Sequence, residues 1–254
     1  MRKPAYLLLA LLFALTPLVC IADTAMAPMA PTSSAKAAPY LDPATFDLKA
    51  IEDLLPNPPA DDSATTKGEF DLIVQKQKAL TPAEAARIKN EQEHLSVYLF
   101  STVLGPWFTK KNLPQTDALF QRVGATAHPI VELAKDHWDR LRPFQQDRLI
   151  HPPLPQKDLS NLSKNPSYPS GHSTFGTISA LILAELSPDQ KDALIARGQQ
   201  IGDDRVLAGV HFPSDVAAGH TLGQAIFDKL MANPDFQADL SKAKAEMAAV
   251  RAKS

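Results

Sequence analysis

Three observations predict an all-α chain. No segment alternates apolar and polar residues with period two. Apolar residues recur at helical spacing from about Gly68 onward. The 22 prolines fall largely at breaks between such segments, whereas only 10 glycines are available for tight turns. With 254 residues, 44% hydrophobic and 21% charged, the composition is that of one sizeable domain or two small ones. A net charge of -2 supplies no basic excess for nucleic acid.

Residues 1–22 read as a secretory signal peptide. Arg2 and Lys3 precede an apolar run over 6–19, too short to span a bilayer, and Cys20, Ile21 and Ala22 place a cleavage site after Ala22. An uncleaved anchor helix is the alternative. Cys20 is the only cysteine, so the mature protein is expected to hold no disulfide and no cysteine metal site. Residues 23–67 read as an extended Pro/Ala-rich arm and strap, with a short helical turn in 40–59. The helical domain is expected over 68–254.

Within it, Thr81, Pro82 and Glu84 form a helix start, and the apolar spacing continues over 82–104. Residues 115–140 read as one helix or a pair broken at Pro129. Residues 172–186 are apolar nearly all round. Further helices are expected over 188–208, 213–231 and 235–252. After the signal, no apolar run is long enough to cross a membrane, so no stable membrane insertion is expected.

Three polar blocks interrupt this scaffold. In the first, Lys135 and Arg142 are close to two helical turns apart, which predicts one shared face closed by Pro143. Two such cations can grip neighbouring phosphate oxygens; a solvated face neutralised by Asp136 and Asp139 is the alternative. In the second, Ser170, Gly171 and His172 precede the most apolar helix, where free N–H groups form an anion site; a capping turn with a satisfied histidine is the alternative. In the third, His211 lies just before a helix begun by Pro213, and Asp215 can reach back to its ring. Alternatively, Asp215 merely complements the helix N-terminus.

Taken together, Lys135 with Arg142 and Pro143, then Pro169, Ser170, Gly171 and His172, then Arg205, His211 and Asp215 resemble the tripartite signature of the phosphatidic acid phosphatase type 2 superfamily. Within it, the likeness is to the secreted class A bacterial nonspecific acid phosphatases. The resemblance implies a helical bundle of the acid phosphatase/vanadium-dependent haloperoxidase type and metal-independent hydrolysis of phosphate monoesters. It further implies His211 as the nucleophile that becomes phosphohistidine, Asp215 as its orienting partner, and His172 as acid and then base. Lys135, Arg142, Arg205, Ser170 and Gly171 would hold the phosphoryl oxygens. A mildly acidic optimum would need the pKa values of His172 and His211 pushed apart. No cofactor is implied; small-molecule phosphate esters, a homo-oligomer and a periplasmic location are.

One position departs from the pattern. Asp204 stands where the family usually has serine, and its carboxylate would repel phosphate unless it turns away or pairs with a cation, Arg205 being one candidate. Rival readings are a lipid phosphate phosphatase acting at a membrane surface, a vanadate-dependent haloperoxidase, a phosphate-binding protein without turnover, and a zinc hydrolase using His211, Asp215 and His220. His94, His128, His137, His151 and His220 read as surface or packing residues, Trp107 and Phe108 as core, and Tyr168 and Phe144 as candidate pocket walls.

Overall fold

The computed structural model describes residues 37–253. The signal reading of 1–22, and the arm up to residue 36, lie outside the described residues. All regular structure among the described residues is helical.

A 3-10 turn, Pro43–Phe46, leads into α1 (Leu48–Leu54); the Asp42 and Asp47 side chains accept from the Ala44 and Ala50 amides at their starts. Residues 56–60 have no regular structure and are pinned to the bundle. The Tyr168 hydroxyl donates to the Pro56 carbonyl at 2.5 Å, and Trp138 Nε1 donates to Asn57 Oδ1 at 2.9 Å. α2 (Ala64–Lys78) starts earlier than the expected boundary at 68, because Ser63 caps it by accepting from the Thr66 amide.

α3 (Pro82–Glu93) opens on a capping box made by Thr81 and Glu84. The helix expected over 82–104 does not run through. His94 ends α3, and a 3-10 turn (Val97–Phe100) and the short α4 (Ser101–Leu104) follow. Val97, Leu99, Phe100 and Leu104 are all buried, so the bend turns this apolar stretch into the core.

α5 (Pro114–Trp138) is a single helix despite Pro129. Both halves share one buried face, formed by Leu119, Phe120, Val123, Ala127, Ile130, Val131 and Ala134. Burial of that face outweighs the roughly 3 kcal/mol that an internal proline removes. α5 stops at Trp138, where Asp139 adopts a left-handed conformation (φ 42°) and donates its N–H to the Lys135 carbonyl at 2.9 Å. Arg142 therefore caps the next short helix, α6 (Pro143–Gln146), which Pro143 begins rather than ends. The expectation of one helical face carrying both Lys135 and Arg142 fails at this turn. α7 (Gln156–Leu162) completes the first half.

α8 (Gly171–Leu186) is the central element, packed between α9 (Lys191–Leu207) and α10 (Pro213–Met231). α11 (Pro234–Arg251) closes the bundle against α5. The α8–α9 crossing is closely packed because Gly176 and Gly198 oppose each other. A Cβ on either would lie 2.8 or 2.7 Å from the other's carbonyl oxygen. That approach sets the starts of α8 and α10 and the end of α9 around one cleft.

Candidate active site

Lys135, Arg142, Gly171, His172, Arg205 and His211 all line a single cleft of about 280 Å³. They come from five places in the chain: the last turn of α5, the cap of α6, the first turn of α8 (Gly171 and His172), the last turn of α9 and the turn before α10. The lining also includes apolar residues, among them Leu95, Ala127, Val131, Leu162 and Phe175.

His211 is 2% exposed. Its Nδ1 lies 3.3 Å from Ser167 Oγ and 3.4 Å from Asp215 Oδ2. Ser167 donates its own proton to Asp215 Oδ2 at 2.5 Å, which leaves its oxygen free to accept from Nδ1–H. That proton on Nδ1 leaves a lone pair on Nε2, and Arg142 Nη1 donates toward it at 3.1 Å. The imidazole is thus held from behind as the neutral Nδ1–H tautomer. Burial, then Arg142, Lys135 and Arg205, push its pKa well below the usual histidine range.

Asp215 is fully buried. Burial raises its pKa, against the opposing pull of Arg140, the Ser167 hydroxyl and the Phe212 amide. Arg140 Nη1 donates to Asp215 Oδ1 at 2.7 Å, the Phe212 amide donates to Oδ2 at 2.8 Å, and Arg140 Nη2 reaches Glu69 at 3.3 Å. Glu69 in turn accepts from the Ser214 amide at 2.7 Å, fixing the first turn of α10.

The cations are equally constrained. Lys135 Nζ donates to Asn165 Oδ1 at 2.8 Å and to the Pro166 carbonyl. Burial, then Arg142, lower its pKa to about 7. Arg142 donates to the Leu162, Asn165 and Val210 carbonyls, each at 2.9 Å, and burial lowers its pKa to about 10. Arg205 is 0% exposed and donates to Glu91 Oε2 at 3.0 Å. Glu91 also pairs with Arg197 at 2.7 Å.

His172 is half-buried, and its Nε2 is shielded from solvent with no protein partner. Burial, then Arg205 and His211, push its pKa well below the usual range. Both histidine pKa values are therefore driven downward, first by burial and then by the cations around the two rings.

Asp204 is explained by its partner. Its carboxylate turns away from the cleft and accepts from Arg87 Nε and Nη2 at 2.7 and 2.8 Å. The cation that neutralises it is Arg87, not Arg205.

Ser170 does not line the cleft. Its hydroxyl caps α8 by accepting from the Ser173 amide at 3.3 Å, and its N–H donates to the Asp215 carbonyl at 2.9 Å. That amide is not available for phosphate, so of the expected Ser170–Gly171 cradle, Gly171 alone borders the cleft. Tyr168 and Phe144 are not pocket walls either: Tyr168 packs edge-to-face on Trp138, and Phe144 joins the cores beneath α2 and α3. His128 is exposed but sits at the cleft rim. His220 is turned toward Thr177, 2.8 Å from its Oγ1, so it does not join His211 and Asp215.

Sequence reasoning missed Arg140, Ser167, Glu91, Arg87 and Asn165. Arg140 and Ser167 stood beside the signature blocks, and that proximity was the only signal. The remaining partners are distant in sequence.

Residues 119–231 match the family model of the PAP2 superfamily. The chain is 37% identical over 153 residues to a non-specific acid phosphatase of Providencia stuartii, covering 60% of this chain and 61% of that protein. It is 38% identical over 139 residues to an acid phosphatase of Zymomonas mobilis, covering 55% and 52%. The chain thus spans between half and two thirds of the length of these curated relatives. A transmembrane PAP2 type phosphatidylglycerolphosphate phosphatase from Bacillus subtilis aligns with a TM-score of 0.46 at 21% identity, covering 68% of this chain and 87% of that one. Over residues 119–231 the chain is thus similar to the PAP2 superfamily, and acid phosphatases are among its relatives.

Proposed function

We propose that the protein is an acid phosphatase hydrolysing phosphate monoesters through a phosphohistidine intermediate, without a metal. The observation that carries this reading is the His211 ring, held from behind through Nδ1 by Ser167 and Asp215 with Nε2 directed at a cleft cation. A nitrogen lone pair so placed is a nucleophile, and the carboxylate behind it stabilises the charge that develops on attack.

In the first step, Nε2 forms a bond to phosphorus as the ester oxygen leaves. Lys135, Arg142 and Arg205 take the charge on the non-bridging oxygens, and the α8 N-terminus at Gly171 adds its dipole. The leaving oxygen takes a proton from His172. In the second step, His172 accepts a proton from water, whose oxygen displaces His211 from phosphorus. The otherwise unpartnered Nε2 of His172 suits this shuttle. His172 is neutral among its cationic neighbours, but the phosphate dianion reverses that field, so substrate and proton arrive together. This linkage produces a mildly acidic optimum.

The reading extends to a periplasmic enzyme exported by the signal at 1–22, and to a homo-oligomer. Among the described residues no helix is long and apolar enough to cross a membrane. The apolar part of the lining also suits a lipid phosphate presented at a membrane surface, which is the second reading.

The test is hydrolysis of phenyl phosphate across about pH 4 to 9 with chelator present, for the unmutated protein and His211→Ala. Chelator-resistant turnover that falls by about three orders of magnitude or more in the variant, with an acid-labile phosphoenzyme trapped only in the parent, is the expected result. Turnover surviving in His211→Ala would rule out this nucleophile. Turnover confined to lipid phosphates in vesicles would favour the second reading.

A further inference from the structure

One charge in the cleft runs against all the others. Among the described residues that line it, Glu132 is the only carboxylate, sharing the lining with Lys135, Arg142, Arg205 and three histidines. It belongs to a row along α5. The Lys135 side chain is buried at the floor, the Glu132 side chain is 35% exposed, and the His128 side chain is 75% exposed at the rim. Glu132 precedes Lys135 by three residues, one helical turn nearer the mouth.

Its position is fixed. Glu132 Oε2 accepts from Asn165 Nδ2 at 2.9 Å, while Asn165 Oδ1 accepts from Lys135 Nζ at 2.8 Å and Arg142 Nη2 at 3.2 Å. The carboxylate therefore stands one amide away from both floor cations, beside the path that a leaving group takes outward. The same lining includes the apolar side chains of Leu95, Leu162 and Phe175.

We infer that Glu132 is a specificity-determining residue that selects phosphate monoesters by the charge of the leaving group. With a phosphoryl group on the floor, the leaving group passes Glu132 and the apolar lining. A neutral aryl or alkyl group fits there. A leaving group with a second anion, such as a carboxylate or a further phosphate, meets Glu132 in a partly desolvated space and is disfavoured. The inference rests on the phosphomonoesterase reading for its biological meaning, but not for its test.

The experiment compares phenyl with para-carboxyphenyl phosphate by kcat/KM, and phenyl with para-carboxyphenyl phosphonate by calorimetric binding. It uses the full chain, Glu132→Gln and Glu132→Asp. The Gln side-chain oxygen still accepts from Asn165, so a purely positioning role changes both ligands alike and leaves their ratio fixed. The parent is expected to prefer the uncharged ring. Glu132→Gln should shrink that preference by about 3- to 10-fold, and Glu132→Asp should keep most of it. A ratio unchanged in Glu132→Gln overturns the inference. If no phosphate ester turns over in the parent, the phosphatase reading falls, while the phosphonate affinities still decide the charge selection.

Discussion

Two buried ion networks support opposite sides of the cleft, and they carry opposite surplus charge. Behind His211, the carboxylates of Asp215 and Glu69 share the single guanidinium of Arg140. Behind Arg205, three guanidiniums, Arg87, Arg197 and Arg205, share the carboxylates of Asp204 and Glu91. The negative surplus sits where an imidazole must bear positive charge as it attacks. The positive surplus sits where phosphoryl oxygens must be held. Buried ion pairs contribute little net stability once desolvation is counted. Both networks are better understood as devices that aim one reactive group each, with helix packing holding the fold.

The largest break in that comparison is expected from Arg140→Met. It leaves Asp215 and Glu69 buried without their cation and frees the Asp215 carboxylate from its anchor. Denaturant unfolding should show a loss of about 3–5 kcal/mol, and kcat should fall by about two orders of magnitude. A variant with unchanged kcat would separate the His211 network from the chemistry.

On the opposite side, Glu91→Gln keeps the shape but removes the charge shared by Arg205 and Arg197. Arg205 then loses its orienting partner while staying positive. A rise in KM of about 10-fold, larger than the change in kcat, is expected from steady-state kinetics.

Lys135→Arg sharpens the role of the floor cations. Lys135 is pushed down to about 7, so the free enzyme loses this charge as pH rises through that value. Phosphate affinity should therefore fall on the alkaline side and be retained below it. Arginine keeps its proton, so the alkaline limb in the inhibition constant of inorganic phosphate should move to higher pH in the variant.

The smallest effect on binding belongs to Asp204→Ser. Because the Asp204 carboxylate turns to Arg87 and not into the cleft, KM should change by less than about 3-fold, while stability drops by about 1–3 kcal/mol. A large gain in substrate affinity would show that the carboxylate does act on phosphate.

Much of the site could be read directly from sequence because its members sit at fixed offsets within short blocks. His211 and Asp215 are four residues apart across a proline-started helix, a spacing that local geometry alone converts into proximity. The same reasoning failed for Lys135 and Arg142. Nothing local signalled that Asp139 takes a left-handed turn between them, yet the two cations still meet, through Asn165 rather than through a shared helix. Ser170 shows why the second block was ambiguous in sequence: a helix cap and an anion ligand make identical demands, and here its hydroxyl caps α8. Pro129 left one helix or two undecided. The shared apolar face of α5 resolved it as one helix, and only a packed core exerts that influence.

By itself the sequence determined the helical class, the helix starts at Pro82 and Pro213 through a cap or a proline, and the identity of the histidines and cations that meet in the cleft, with Asp215 behind His211. Those properties depend on residues within a few turns of one another. Tertiary structure alone decided which charges are paired and which remain to act. Arg140 finds Glu69 across 71 residues, Arg87 finds Asp204 across 117, and Glu91 finds Arg205 across 114. Such pairs carry no periodicity and no fixed offset. They are set by the close approach of α8 to α9 and α10, where backbone contact through small residues brings distant side chains into a space that excludes water.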